Sequence, residues 1–176
     1  MSNFEKNLEQ ALNNAKRLTD KILIDGKLIS AQTNNKIPVL NPSTGDNIGS
    51  APQCDKNDVN IAVESAYKAF QKWKKIPARE RGKMVAAGAK RLEERKSEIE
   101  TLLSLDTGNA LRTQAIPETG ASIELTNMFA GLSGELKGEN YPTNIPNSIH
   151  YTTRDPIGVV CAIARSTRAA ASGCPK

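Results

Sequence analysis

The sequence contains no apolar run approaching the ~18–20 residues needed to span a bilayer. Met1 to Asp20 lacks the apolar centre of a secretory signal, and Glu5 and Glu9 do not suit a mitochondrial presequence, which is poor in acids. These absences lead us to expect a cytoplasmic protein with no membrane partner. Cysteine is also scarce. Cys54, Cys161 and Cys174 are odd in number and far apart, with no C-x-x-C pair, so neither a disulfide framework nor a cysteine zinc site is expected and the thiols are read as reduced. Gly-x-Gly-x-x-Gly, the P-loop, His-Glu-x-x-His and Gly-x-Ser-x-Gly are all missing. With one histidine, His150, any Cys/His or Ser/His/Asp arrangement would depend on a single residue, which we read as structural or solvent-facing.

What is present is ordinary for a soluble globular chain. The 176 residues are 38% hydrophobic and 24% charged, enough for one domain with a buried core. The formal charge of +5 invites a nucleic-acid reading, but Arg165, Arg168 and Lys176 lie in an acid-free stretch at the end. Without them 21 basic residues face 19 acidic ones. The body is nearly neutral and has no aromatic-basic stripe, so no nucleic-acid partner is expected.

Periodicity predicts a largely helical chain with short strands. Ser2 and Glu5 have the form of a capping box, followed by Leu8, Ala11, Leu12, Ala15 and Leu18 at helical spacing. Lys21 to Ile29 reads as a hairpin around Asp25-Gly26, and Ile37 to Gly45 as a strand followed by a turn. Asp55 to Asp58 opens the clearest helix, with Val59, Ala62, Val63, Ala66, Phe70 and Trp73 on one stripe. A helix from about Ala78 to Arg95 is expected to turn Met84, Val85, Gly88 and Leu92 inward. Ser97 is read as the cap of a third helix that ends at Asp106-Thr107-Gly108. A fourth, from about Pro117 to Lys137, should bury Ile123, Met128, Phe129, Leu132 and Leu136. Ile149 to Thr153 and Ile157 to Ile163 read as strand, with Cys161 buried in the second. Beyond Ile163 the composition changes abruptly, and the tail is read as a frameshift or linker scar.

Few residues invite chemistry. Glu93-Glu94 and Glu98-x-Glu100 sit among Arg91, Arg95 and Lys96, where charges three or four apart solvate a helix surface. Cys54 precedes a helix whose N-terminus could activate a thiol, but an inert loop cysteine satisfies the same pattern. A small helical binding or assembly module without catalysis is a reading that these residues leave open.

The order of short phrases says more. Ile24-Asp-Gly-Lys, Asn41-Pro-Ser-Thr-Gly45, Asp58-Val with Ala62-Val63, Ala69-Phe70 and Trp73, and Ala78-Arg-Glu-Arg81 come first. They are followed by Leu105-Asp-Thr-Gly-Asn109, Phe129-Ala-Gly with Gly134 and Gly138-Glu139, and Tyr151-Thr-Thr-Arg-Asp-Pro-Ile-Gly-Val-Val160. From about Lys21 to Ile163 this succession resembles the NAD(P)-dependent aldehyde dehydrogenase family.

The resemblance implies an α/β fold: the N-terminal arm and helices of a cofactor-binding domain, cut off before most of its parallel sheet. On that scheme residues 1–20 form an amphipathic helix and residues 21–147 the N-terminal part of the cofactor domain. Residues 148–163 form an oligomerisation strand and the start of the first cofactor-domain strand, and 164–176 a non-native tail. It also implies a homo-oligomer, an aldehyde substrate and NAD or NADP in the full-length enzyme. A structural monovalent cation would be held by the backbone at Val39 and Leu40 and the carboxylate of Asp106. The family's oxyanion donor is the Asn side chain of a Pro-aromatic-Asn phrase, where this chain has Arg165-Ser166-Thr167. The phosphate-binding loop, the glutamate of Glu-Leu-Gly-Gly and the nucleophile of Gly-Gln-x-Cys do not occur either. No catalytic or cofactor-binding residue is therefore assigned, the chain alone is expected to be inactive and to bind the cofactor poorly, and Phe70, Met128 and Phe129 are expected to lack a sheet to bury against.

Overall fold

The computed structural model describes residues 3–163. The capping role expected of Ser2 and the tail from Ala164, expected to be non-native, fall outside that range.

α1 (Asn3–Leu18) leads into two antiparallel hairpins, β1 (Lys21–Ile24) with β2 (Lys27–Ser30) and β3 (Lys36–Leu40) with β4 (Asn47–Pro52). The first turn has positive φ at both Asp25 (52°) and Gly26 (71°), the type I′ geometry that matches strand twist and that Asp-Gly adopts at low cost. Then come α2 (Lys56–Trp73), α3 (Ala78–Glu94) and α4 (Lys96–Thr107). A π-helical turn (Leu111–Ala115) runs into α5 (Ile116–Gly131), which tightens into a 3-10 turn (Leu132–Gly134). A two-residue ladder of β5 (Asn140–Tyr141) and β6 (His150–Tyr151) follows. The architecture is largely helical with short strands, as expected, and all pairing among the described residues is antiparallel.

Local chemistry accounts for the boundaries. Asp55 caps α2 by accepting from the backbone N–H groups of Asn57 and Asp58, while Asp58 accepts from Asp55 N–H at 3.2 Å, a reciprocal capping box. The second oxygen of Asp58 accepts from Gln32 N–H at 3.0 Å, which ties the helix start to the segment after β2 and accounts for the burial of this carboxylate. Gly108 closes α4 with φ 71°. Ser97 is not a cap: it lies within α4, and its hydroxyl accepts from Asn7 Nδ2 of α1 at 2.6 Å.

The core differs from the expected one. Among the described residues the buried hydrophobic ones are Ala11, Ala89, Ala115, Ile123 and Ala130, and no large side chain is fully enclosed. α3 and α5 meet through small residues. A Cβ on Gly82 would lie 2.5 Å from the Ala130 carbonyl oxygen and 2.2 Å from Ser133 Oγ, so only glycine permits this approach. The inward face of α3 is therefore Gly82 and Ala89, and Met84, Val85, Gly88 and Leu92 are exposed. On α5 only Ile123 of the expected set is buried; Met128 is 49% and Phe129 63% exposed, and Leu132 and Leu136 also face out. Val59, Val63 and Trp73 of the α2 stripe are exposed as well.

The expected strands near the end are curtailed. Only His150–Tyr151 pairs, and residues 153–163 form no ladder and make no backbone hydrogen bond among the described residues. Ile157 is 95% exposed, and Cys161 is exposed rather than buried. A strand is stable only when its N–H and C=O groups find a neighbour, which the sequence of one segment cannot supply.

Candidate functional site

Four elements distant in sequence line an open cleft of about 380 Å³. α1 contributes Ala15 and Leu18, the β3–β4 ladder Val39 and Ile48, and α4 Ile99 and Leu103. Asp106, in the last turn of α4, stands in the same wall as Val39. Leu40, the third residue of the expected cation set, is not part of the wall. The ladder slips by one residue between Val39 and Leu40, because Val39 pairs with Gly49 and Leu40 with Asn47. Ile48 is the extra residue of that bulge, and it lies in the cleft wall.

Polar contacts fix the wall. Asp20, with φ 59°, takes a hydrogen bond from Ser50 Oγ at 2.6 Å and forms an ion pair with Lys36, while its own N–H donates to Ser50 O at 3.0 Å. The hydrogen bond from Lys36 leads in holding the Asp20 carboxyl below its ordinary pKa, with that from Ser50 next. Thr19 Oγ1 donates to Ala15 O at 3.1 Å. These bonds hold the end of α1 on β4, and Asn7 and Ser97 hold its start on α4. Asp106 makes no hydrogen bond or ion pair among the described residues.

Elsewhere the titratable groups behave as structure. Glu93 pairs with Lys96, Glu94 with Arg91 and Glu98 with Arg95, each three residues apart. Glu98 departs from the surface reading: it is buried and takes two hydrogen bonds from Arg95, whose guanidinium holds its proton more strongly for that contact. His150 is exposed on β6, and Cys54 is exposed in the loop before α2. No group of three or more His, Cys, Asp or Glu among the described residues could hold a metal ion, so any cation here would need backbone oxygens. No described helix is long and apolar enough to cross a membrane.

The sequence model of the aldehyde dehydrogenase family matches residues 28–165. The chain belongs to the aldehyde dehydrogenase family. Among curated relatives, the aldehyde dehydrogenase tropH of Talaromyces stipitatus is 37% identical over 147 residues, which cover 82% of this chain and 28% of that protein. The phenylacetaldehyde dehydrogenase of Pseudomonas fluorescens is 34% identical over 84% of this chain and 31% of its own length. Among solved structures, a betaine aldehyde dehydrogenase from Staphylococcus aureus in complex with NAD+ superposes with a TM-score of 0.74 at 27% identity, covering 81% of this chain and 29% of that one. The chain thus spans about three tenths of the length of these aldehyde dehydrogenases.

Sequence reasoning missed β4, the bulge at Ile48 and the π-helical turn. Asn-Ile-Gly-Ser-Ala-Pro has little strand propensity, so nothing local marked it. It is a strand because β3 offers it a ladder.

Proposed function

We propose that this chain is the N-terminal scaffold of an aldehyde dehydrogenase that converts an aldehyde to a carboxylic acid with NAD(P)+, and that it does not perform the reaction by itself. The observation that carries the reading is the family match over residues 28–165 in a sequence with neither the Gly-Gln-x-Cys nor the Glu-Leu-Gly-Gly phrase. In the complete enzyme a cysteine thiolate adds to the aldehyde, and a water activated by glutamate hydrolyses the thioester that follows. The nicotinamide, when bound, accepts the hydride. This chain's residues supply none of these groups. Its part is to hold helices against the remainder of the cofactor domain, and the exposed apolar faces of α2 and α5 support that role.

Residues 21–147 then belong to the cofactor domain, 148–160 to the strands that pair subunits of a homo-oligomer, and 159–163 to the first cofactor strand. The unpaired backbone of 153–163 is what such a segment would show without its neighbours. Val39 and Asp106, with the adjoining backbone of Leu40, would hold the monovalent cation. The unpartnered carboxylate and the interrupted ladder at this place fit an oxygen-donor site.

The test is to incubate the purified chain with aliphatic and aromatic aldehydes and either NAD+ or NADP+, following reduced nicotinamide by absorbance. No formation above the protein-free control is expected. Sustained turnover would overturn the reading.

A further inference from the structure

The cleft between α1, the β3–β4 ladder and α4 combines two properties that define a ligand. Its volume of about 380 Å³ falls within the ~300–1,000 Å³ range of small-molecule sites. At ~30 Å³ per molecule it holds about a dozen waters. Most of its wall is aliphatic: Leu18, Val39, Ile48, Ile99, Leu102 and Leu103. Water against such a surface is readily displaced by an apolar group. The second property is charge. Asp106, exposed to solvent, is the one charged residue in this wall, and among the described residues no cation or hydrogen-bond donor meets it. Of the other polar side chains in the wall, the Thr19 hydroxyl already donates to Ala15 O and the Ser50 hydroxyl to Asp20.

We propose that this cleft binds a primary alkylammonium ion, with the alkyl chain among the aliphatic side chains and the ammonium on Asp106. A neutral alcohol of the same length would bury the same chain but forgo the charge-assisted hydrogen bond. A carboxylate would meet Asp106 with like charge. An inorganic ion would satisfy Asp106 and leave the aliphatic wall to water. The lining residues are fixed to one another through Asn7–Ser97 and Asp20–Ser50. The inference shares Asp106 with the proposed monovalent-cation site and deepens that reading by naming an organic ion that would compete there.

Calorimetric titration of the whole 176-residue chain with hexylammonium, hexanol and hexanoate at low ionic strength tests the proposal. One saturable equivalent of hexylammonium is expected, about threefold tighter than hexanol at low ionic strength, with hexanoate weaker than both. Asp106→Asn should bring hexylammonium to the level of hexanol, and Ala15→Phe, which fills the cleft, should weaken both. Circular dichroism confirms that each variant keeps its helices. Equal affinity for hexylammonium and hexanol, or an undiminished response in Asp106→Asn, overturns the proposal. A titration with potassium chloride, compared with tetramethylammonium chloride at equal ionic strength, separates the two readings. Heat specific to potassium that vanishes in Asp106→Asn supports the inorganic ion, and its absence removes that reading alone.

Discussion

The same chemical change at two places on α3 should have opposite effects. Gly88→Ala adds a methyl where nothing lies within 4 Å, so it only replaces a poor helix former with the best one, a gain of about 1 kcal/mol. Gly82→Ala makes the same gain but sets a Cβ 2.5 Å from the Ala130 carbonyl oxygen, 2.2 Å from Ser133 Oγ and 2.9 Å from Ser133 Cβ. The Ser133 hydroxyl can rotate away. The carbonyl can move only if the end of α5 moves, and overpacking of that kind costs ~1–3 kcal/mol. The helix-propensity gain and the effect on the unfolded chain cancel between the two variants, so their difference of ~1–3 kcal/mol isolates the steric cost. Urea unfolding followed by circular dichroism at low protein concentration measures it, as a displacement of the midpoint at constant slope. If Gly82→Ala raises the midpoint as much as Gly88→Ala does, α3 and α5 do not approach in this way.

Asp55→Ala removes the acceptor of two backbone N–H groups at 2.8 and 2.9 Å and should destabilise α2 by about 1 kcal/mol, read as faster amide exchange in its first turn with α3 unaffected. The Asp20 carboxyl is depressed by Lys36 and Ser50, so its contribution is fully present above the ordinary aspartate range, near pH ~4, and is lost as pH falls through the depressed value. Protection factors of amides in β4 and the end of α1, taken relative to the intrinsic exchange rate at each pH, should therefore fall in acid in the native chain, and Asp20→Asn should flatten that dependence. The exposed apolar faces of α2, α5 and residues 157–163 lead us to expect self-association, measured by sedimentation. A sharp cooperative melt of a monodisperse monomer contradicts it.

What the sequence revealed was local. The Asp-Gly turn, the Asp55-x-x-Asp58 box and Asp106-Thr-Gly each specify backbone geometry within a few residues, and each occurs where expected. Periodicity located α3 and α5 but misjudged their inward faces, because a stripe of Met84, Val85 and Leu92 shows that a surface is apolar without saying what covers it. Within this chain α3 and α5 meet through Gly82 and Ala130, whose small size allows close approach and leaves no hydrophobic signature. Residues 157–163 have strand composition and no neighbour to pair with among the described residues. Val39 and Asp106 were named through the family resemblance; no local pattern could place them in one cleft, since its walls come from α1, β3, β4 and α4.

Of the described helices, α2 touches the rest of the chain least. Apart from the Gln32 N–H bond to Asp58, its support is local: the reciprocal cap at Asp55 and Asp58, the Glu64–Lys68 ion pair one turn apart, and the Lys74 ammonium 5.3 Å from the centre of the Phe70 ring. A helix owes most of its stability to the packing of one face, so α2 has more to gain from a further surface than any other helix described here. Any surface that covered Val59, Val63 and Trp73 would therefore slow the opening of α2 more than that of α3 or α5, which already lean on each other.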